Sequence, residues 1–307
     1  MFSSRLPGQA VLLAACVFSL TSLVASHSTL ADDPTAAGQN KPAADGDDVV
    51  LVSSPEGLIA GQRPGVVKPG APPSPEALLA LAQRDPEQFM RYCLDRYRAE
   101  IRDYTCVFEK CERIGGKLRK VEQIEVRYRE QPTSVYMIWK KNADKARRVL
   151  FIDTPEFVNG KGEKIAHIEP AGAIARLFVS DVEIPIHGEQ ARRSSRRPID
   201  QFGFRRALEK LLSDNARAAE RGELEFHYSG NGEIDGRPTW VFERILPYRG
   251  PNGPYPNARM VMHIDREWLL PTAVYTFADK EGKQLLGSYI YTQVRLNPRL
   301  PDEAFKF

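Results

Sequence analysis

The chain reads as an α+β protein built on one strongly curved antiparallel sheet, or half-barrel, of about ten strands, with two or three helices on its concave face. Three observations carry that expectation. From residue 103 onward the apolar residues recur with a period of two, in short runs. Glycine-bearing connections too short for a crossover join most of these runs, so neighbouring strands should pair antiparallel. A sheet of about ten strands is too wide to lie flat, so it should bend.

The ordered part begins at Ser74-Pro75-Glu76, which supplies a cap, a proline at the first helical position and an acidic first turn. Asp85-Pro86-Glu87 repeats the signal and starts a second helix, in which Met90, Leu94, Tyr97 and Ile101 recur at three and four residues. The period then falls to two. Strands are expected at 104–113 and 118–129 around Gly115-Gly116, then at 134–140, 149–153 and 164–168, with Asn159-Gly160 turning the last pair. Residues 169–200 are mixed in character and rich in arginine. A helix over about 202–221 carries Phe204, Leu208, Leu211 and Leu212 on one face, with Gly222 just beyond it. Five further strands are expected at 223–229, 239–246, 258–264, 272–277 and 284–294. Their connections carry Asn231-Gly232, Asp235-Gly236, Asn252-Gly253 and Glu281-Gly282.

The residues ahead of this domain have a different character. Arg5 precedes an uncharged, largely apolar run at 10–25, shorter than the roughly 20 residues a membrane-spanning helix needs. Thr29-Leu30-Ala31 before Asp32 and Ala25-Ser26 before His27 are acceptable cleavage sites, so residues 1–31 read as a signal peptide. An uncleaved anchor is the first alternative. The second is a lipoprotein signal at Leu13-Ala14-Ala15-Cys16, which would anchor the chain by lipid through Cys16; the apolar residues continuing after Cys16 argue against it. Residues 32–74, rich in Pro, Ala and Gly, should form a disordered tether, and residues 75–307 a single β-rich domain. The expected location is therefore the periplasm or cell envelope. Export leaves Cys93, Cys106 and Cys111. Cys93 with Cys106 is the one pair open to a disulfide, and three buried free thiols are the competing reading.

Composition narrows the function classes. The sequence has 43 basic and 40 acidic side chains, a formal net charge of +3, and so no overall field to hold nucleic acid. The five histidines are scattered, and no two lie at metal-ligand spacing, so no metal or cofactor is expected. No His-Glu-x-x-His, Cys-x-x-Cys, Gly-x-Ser-x-Gly or phosphate loop is present, and no catalytic residue is expected. Gly160-Lys161-Gly162 and Gly230-Asn231-Gly232 begin like a dinucleotide fingerprint, but neither opens a helix and both are expected as hairpin turns. Lone His167 and His263 in strands read as structural. Two features remain. Val135, Met137 and Trp139 share one strand parity, as do Met260, Met262 and Ile264, and flexible methionine-rich walls suit an adaptable apolar cavity as well as a core. Val135, Met137, Trp139, Met260 and Met262 are the candidate ligand-binding residues. Arg192, Arg193, Arg196 and Arg197 in one loop are the candidate anion-binding residues, through bidentate guanidinium contacts.

The stretches Tyr104-Thr105-Cys106-Val107-Phe108, Cys111-Glu112-Arg113-Ile114-Gly115-Gly116-Lys117 and 129–139, with Arg197-Pro198-Ile199 to Gly203, resemble an exported bacterial family catalogued as domain of unknown function 1571, over about 85–307. More remotely, the layout of a helix, a strand meander and a mid-chain helical insertion is similar to the LolA/LolB lipoprotein-carrier superfamily. Ile264-Asp265 to Leu269-Leu270-Pro271 and the Asn297-Pro298 to Phe307 tail share in that likeness. The resemblance implies a half-closed antiparallel barrel whose concave apolar face is lidded by helices. It also implies a non-enzymatic carrier of an apolar or lipidated ligand, one that could bear an anionic head group and bring the protein into peripheral contact with a membrane. The alternatives are a periplasmic regulatory or scaffold module that binds a protein partner and, more distantly, an exported hydrolase.

Overall fold

The computed structural model describes residues 73–172 and 181–307. The signal segment, Cys16 and all but the last two residues of the tether lie outside the described residues.

Both expected helix starts are built from their own side chains. Ser74 Oγ accepts the Ala77 N–H at 3.2 Å and opens α1 (Pro75–Arg84). Asp85 ends α1 and caps α2 (Pro86–Glu100), its carboxylate accepting the Gln88 N–H at 2.9 Å. Strand β1 (Asp103–Ile114) forms a short hairpin with β2 (Lys117–Leu118) and pairs along its length with β3 (Glu122–Glu130). Next come β4 (Thr133–Lys141), β5 (Ala146–Ile152), β6 (Ile165–Pro170) and β7 (Val182–Pro185), each antiparallel to the one before. A single helical turn (Glu189–Arg192) and a longer helix, α3 (Phe204–Ala219), follow. Strands β8 (Glu225–Ile234), β9 (Arg237–Ile245), β10 (Arg259–Asp265), β11 (Pro271–Phe277) and β12 (Leu285–Leu296) complete the sheet.

The sheet has twelve strands in the order β7-β6-β5-β4-β3-β1-β12-β11-β10-β9-β8, with β2 off the path beside β1. It is two meanders joined where the last strand returns beside the first. This is two strands more than the sequence suggests. β7 lies in the arginine-rich stretch, where only its pairing with β6 marks it as a strand, and β2 is two residues long. A second correction concerns Gly230-Asn231-Gly232. It is no turn but part of β8, where Gly230 at φ 135° lets the register shift against β9; the hairpin turns at Asp235-Gly236 instead. Gly160-Lys161-Gly162 does turn, between paired Val158 and Lys164.

Strands β7 and β8 are the two edges of the sheet, so the connection between them must travel across a face. It does so over residues 186–224 and carries α3. Phe204, Leu208, Leu211 and Leu212 are buried against the sheet, while α1 and α2 pack beside them with Leu78, Phe89, Met90 and Cys93. Phe89 stacks on Phe242 at 5.2 Å and meets Trp240 edge-on at 5.5 Å, so all three helices cover the β9–β11 half. The opposite face of β3–β5 is covered by the C-terminus: Arg129 pairs with Asp302 at 2.6 Å and lies over the Phe305 ring, and Tyr136 meets Phe307. Burial on both faces explains why residues 134–139 lack a polar alternation.

The helices are fixed to the sheet through one carboxylate. Glu130, at the end of β3, accepts Tyr97 Oη from α2 at 2.6 Å and Tyr128 Oη at 3.2 Å, and it pairs with Arg205 of α3 at 2.8 Å. Burial, with the neighbouring carboxylate, pushes the Tyr97 phenol far up, so it remains a donor. Burial works against the Arg205 charge, but the hydrogen bond and charge of Glu130 outweigh it and hold the guanidinium ionised. Just ahead of α3 the backbone passes close over the stacked rings of Tyr104 and Tyr128, whose centroids lie 4.7 Å apart. Gly203 makes this possible. Its φ is +113°, and a Cβ there would stand 2.9 Å from Tyr104 Oη and 3.1 Å from the Tyr128 ring.

Two stability measurements test this account. Gly203→Ala should cost about 1–3 kcal/mol more than Gly222→Ala, which meets only the backbone penalty in open space. Equal losses in denaturant unfolding would remove the close-approach argument. Glu130→Gln should lose about 1–3 kcal/mol, because it removes the carboxylate that Arg205, Tyr97 and Tyr128 share and leaves the guanidinium its second pair, Glu209. Glu125→Gln, which breaks a half-exposed pair with Lys140, should stay within about 0.5 kcal/mol.

Candidate functional site

Between the sheet and the crossing segment lies a cavity of about 360 Å³. It is lined from β7 (Ile184) round to β9 (Arg244), strands nine interstrand steps apart, or about 43 Å in a flat sheet. Strands so far apart can share one small cavity only if the sheet bends round it. Its apolar walls come from both halves of the fold: Met137 and Trp139 of β4, Ala166 and Ile168 of β6, Met260 and Met262 of β10, and Phe108 and Tyr291 beneath. Residues Ile186 to Asp214 form the roof, with Ile199, Phe202, Ala207 and Leu211 facing in. The exposed lining residues Asp144, Lys145 and Ser194 mark where the cavity reaches solvent.

One wall is polar. On β1 the inward parity runs Cys106, Phe108, Lys110, Glu112, all buried, so the face changes from apolar to charged along one strand. The Lys110 ammonium stands 3.3 Å from Glu122 and 3.6 Å from Glu112. Glu122 also accepts the Trp139 indole N–H at 2.7 Å, and Glu112 accepts Tyr289 Oη at 2.8 Å. Burial, with the Glu112 charge, raises the Tyr289 phenol, which stays protonated and donating. Glu112 receives the Arg196 backbone N–H at 3.3 Å and the Ser195 hydroxyl at 3.4 Å as well. The group therefore orients two aromatic wall residues and ties the roof to the floor.

A second charged group closes the far end. The Arg244 guanidinium, 2% exposed, donates to Asn215 at 3.2 Å and to Asn257 at 3.3 Å. Asp214 is 3.8 Å from it and also pairs with Lys210. Burial lowers the Arg244 pKa to about 10, against the pull of Asp214 and with a further push from the charge of Arg197.

The sequence candidates divide on this geometry. Met137, Trp139, Met260 and Met262 line the cavity. Val135 shares their parity, but it is fully buried, paired with Tyr128, and does not reach the lining. The four arginines do not form one cluster. Arg192 donates to the His187 carbonyl, and Arg193 pairs with Glu189 on the surface at 2.5 Å. Arg196 donates to the Pro256 carbonyl at 3.2 Å, and only Arg197 lines the cavity. Sequence reasoning missed Lys110, Glu112, Glu122 and Arg244. The available signal was a charged residue on an otherwise apolar parity: Lys110 and Glu112 after Cys106 and Phe108, and Arg244 after Trp240 and Phe242.

Cys93, Cys106 and Cys111 are free and buried, so the Cys93–Cys106 bridge does not form. Burial raises all three thiols, those of Cys93 and Cys106 far above their ordinary range. His263 contacts the Thr239 hydroxyl at 3.0 Å and His167 lies 2.6 Å from Asp181, so each imidazole has a local partner.

Several solved structures are similar to parts of this chain. MucB is 16% identical over 72% of this chain and 62% of its own, at a TM-score of 0.45, so the match spans less than two thirds of that protein. The MucA/MucB complex of Pseudomonas aeruginosa gives 14% identity over 72% and 61%, at a TM-score of 0.42. The lipoprotein LppX of Mycobacterium tuberculosis is 16% identical over 74% of this chain and 99% of its own, at a TM-score of 0.39. A LolA-superfamily protein of Nitrosomonas europaea is 12% identical over 71% and 97%, at a TM-score of 0.22. No curated protein sequence matches. The sequence pattern of one family does, over more than half the chain: the protein belongs to the family described as protein of unknown function DUF1571, matched over residues 101–307.

Proposed function

We propose that the protein is an exported, non-enzymatic binding protein that holds an apolar chain, of a lipid or a lipidated partner, in the cavity beneath α3. The observation that supports this most is the space itself. Protein interiors pack to crystal density and leave few voids larger than a water molecule, whereas this fold encloses about 360 Å³. That falls within the roughly 300–1,000 Å³ range of small-molecule sites. Methionines on β4 and β10 wall it from opposite halves, and their unbranched side chains can follow the shape of a guest. An acyl chain entering would be stabilised by about 25 cal/mol for each Å² of apolar surface removed from water.

The polar wall serves the same role. Trp139 and Tyr289 are held by Glu122 and Glu112, so two of the largest wall residues keep their orientation without a guest packed against them. Hydrogen bonds thus brace the borders of the cavity, while short residues of the roof leave it space. Export, expected from residues 1–31, would place such a protein among the lipids and lipoproteins of the cell envelope.

Native mass spectrometry of protein purified from its own host should show a copurified lipid-sized mass. A fluorescent fatty-acid probe should bind the purified protein saturably. Ala166→Leu, which adds bulk to the lining, should weaken that probe about tenfold and change stability by less than about 0.5 kcal/mol. Val135→Leu, in packed core on the neighbouring strand pair, should cost about 1–3 kcal/mol and leave the probe affinity unchanged. If no probe binds and Ala166→Leu destabilises as much as Val135→Leu, the space is filled core. The protein-binding scaffold reading then takes its place.

A further inference from the structure

We infer that Arg197 is the anchor for an anionic head group, a carboxylate or a phosphate monoester, on a single-chain amphiphile whose tail occupies the cavity. The inference rests on the binding-protein reading and adds to it the class of ligand.

Among the described residues, five cationic side chains line the cavity. Lys110 lies between Glu112 and Glu122, at 3.6 and 3.3 Å. Lys210 pairs with Asp214, and Arg244 shares that carboxylate at 3.8 Å. Lys145 is exposed at the mouth, where water solvates it. Arg197 differs from all of these. It is partly buried, and among the described residues no carboxylate lies within ion-pair distance of it and no side-chain hydrogen bond satisfies it; its guanidinium sits 6.0 Å over the Tyr289 ring.

A guanidinium drawn from water needs a partner. An aromatic face supplies only part of that stabilisation. A carboxylate or phosphate supplies the rest, through the two parallel N–H···O bonds that a planar guanidinium presents. The backbone on either side of Arg197 is held in place. The Arg196 N–H is bonded to Glu112 and its side chain to the Pro256 carbonyl, while Pro198 restricts the next φ. The anchor is therefore presented from a fixed segment of the roof above apolar walls. Arg192 and Arg193 lie outside the lining and have local partners.

The test uses three ligands with the same eighteen-carbon chain, displacing a fluorescent probe from the full chain: a fatty acid, a monoacylglycerol phosphate and a fatty alcohol. One or both anionic ligands should bind at least about tenfold tighter than the alcohol, and the stronger of the two identifies the head group. Arg197→Gln should bring the anionic ligands down to the affinity of the alcohol and leave alcohol binding unchanged, which also shows that the cavity is intact. Arg197→Lys should restore only part of the preference, and Arg192→Gln with Arg193→Gln should leave it whole. The anchor is overturned if Arg197→Gln weakens acid and alcohol equally, or if it leaves the anionic preference untouched. Failure of all three ligands to bind the unaltered protein would overturn the binding-protein reading itself.

Discussion

The arrangement of this protein depends on one carboxylate. Glu130 ends β3 and receives Tyr97 from α2, Tyr128 from its own strand and Arg205 from α3, so a single anion fixes two helices against the sheet. Its partners are largely buried, and such a group is stable only when complete. Without the guanidinium the carboxylate would be left desolvated with no cation, and without the carboxylate the guanidinium would keep only its pair with Glu209 at 3.1 Å. The same junction fixes where the crossing segment comes down. Gly203 passes over the Tyr104 and Tyr128 rings and Phe204 meets Tyr104 in a tilted contact at 4.7 Å, so α3 has one place to start and one direction to run.

The cavity follows from topology. The return of β12 beside β1 leaves β7 and β8 as the edges, so the chain between them must cross the whole sheet. Three helices pack on the β9–β11 half and fill it with Leu208, Phe89 and Met90 against Phe242 of β9. The other half is covered by the roof segment ahead of α3, whose residues lining the cavity include Ala191, Ser194 and Ser195. Short side chains over a curved face leave space that the helices close elsewhere.

Charge is divided by the same geometry. Buried cations in the walls stand beside carboxylates, and those pairs give the cavity rigid borders: Lys110 with Glu112 and Glu122, Arg244 with Asp214. Among the described residues Arg197 has only an aromatic face beside it, which makes it the position from which the proposed ligand could be distinguished by charge. Apolar walls set how much surface a guest can bury, and the borders set which end of it enters.

The sequence by itself determined whatever is settled within a few residues. The Ser74 and Asp85 caps start α1 and α2 where they were expected, because a side chain accepting an N–H three residues on needs nothing from the rest of the fold. The period of two set the strands and put Met137, Trp139, Met260 and Met262 on inward faces. Tertiary structure decided the remainder. β7 is a strand because β6 offers it hydrogen bonds, and Gly230 to Gly232 continue β8 past the register shift because β9 runs alongside. Val135 and Met137 share a strand and a parity, yet one lies in packed core and the other lines the cavity. Of four neighbouring arginines only Arg197 turns inward. These outcomes depend on which residues, distant along the chain, come to fill the same space, and a local pattern holds no information about that volume.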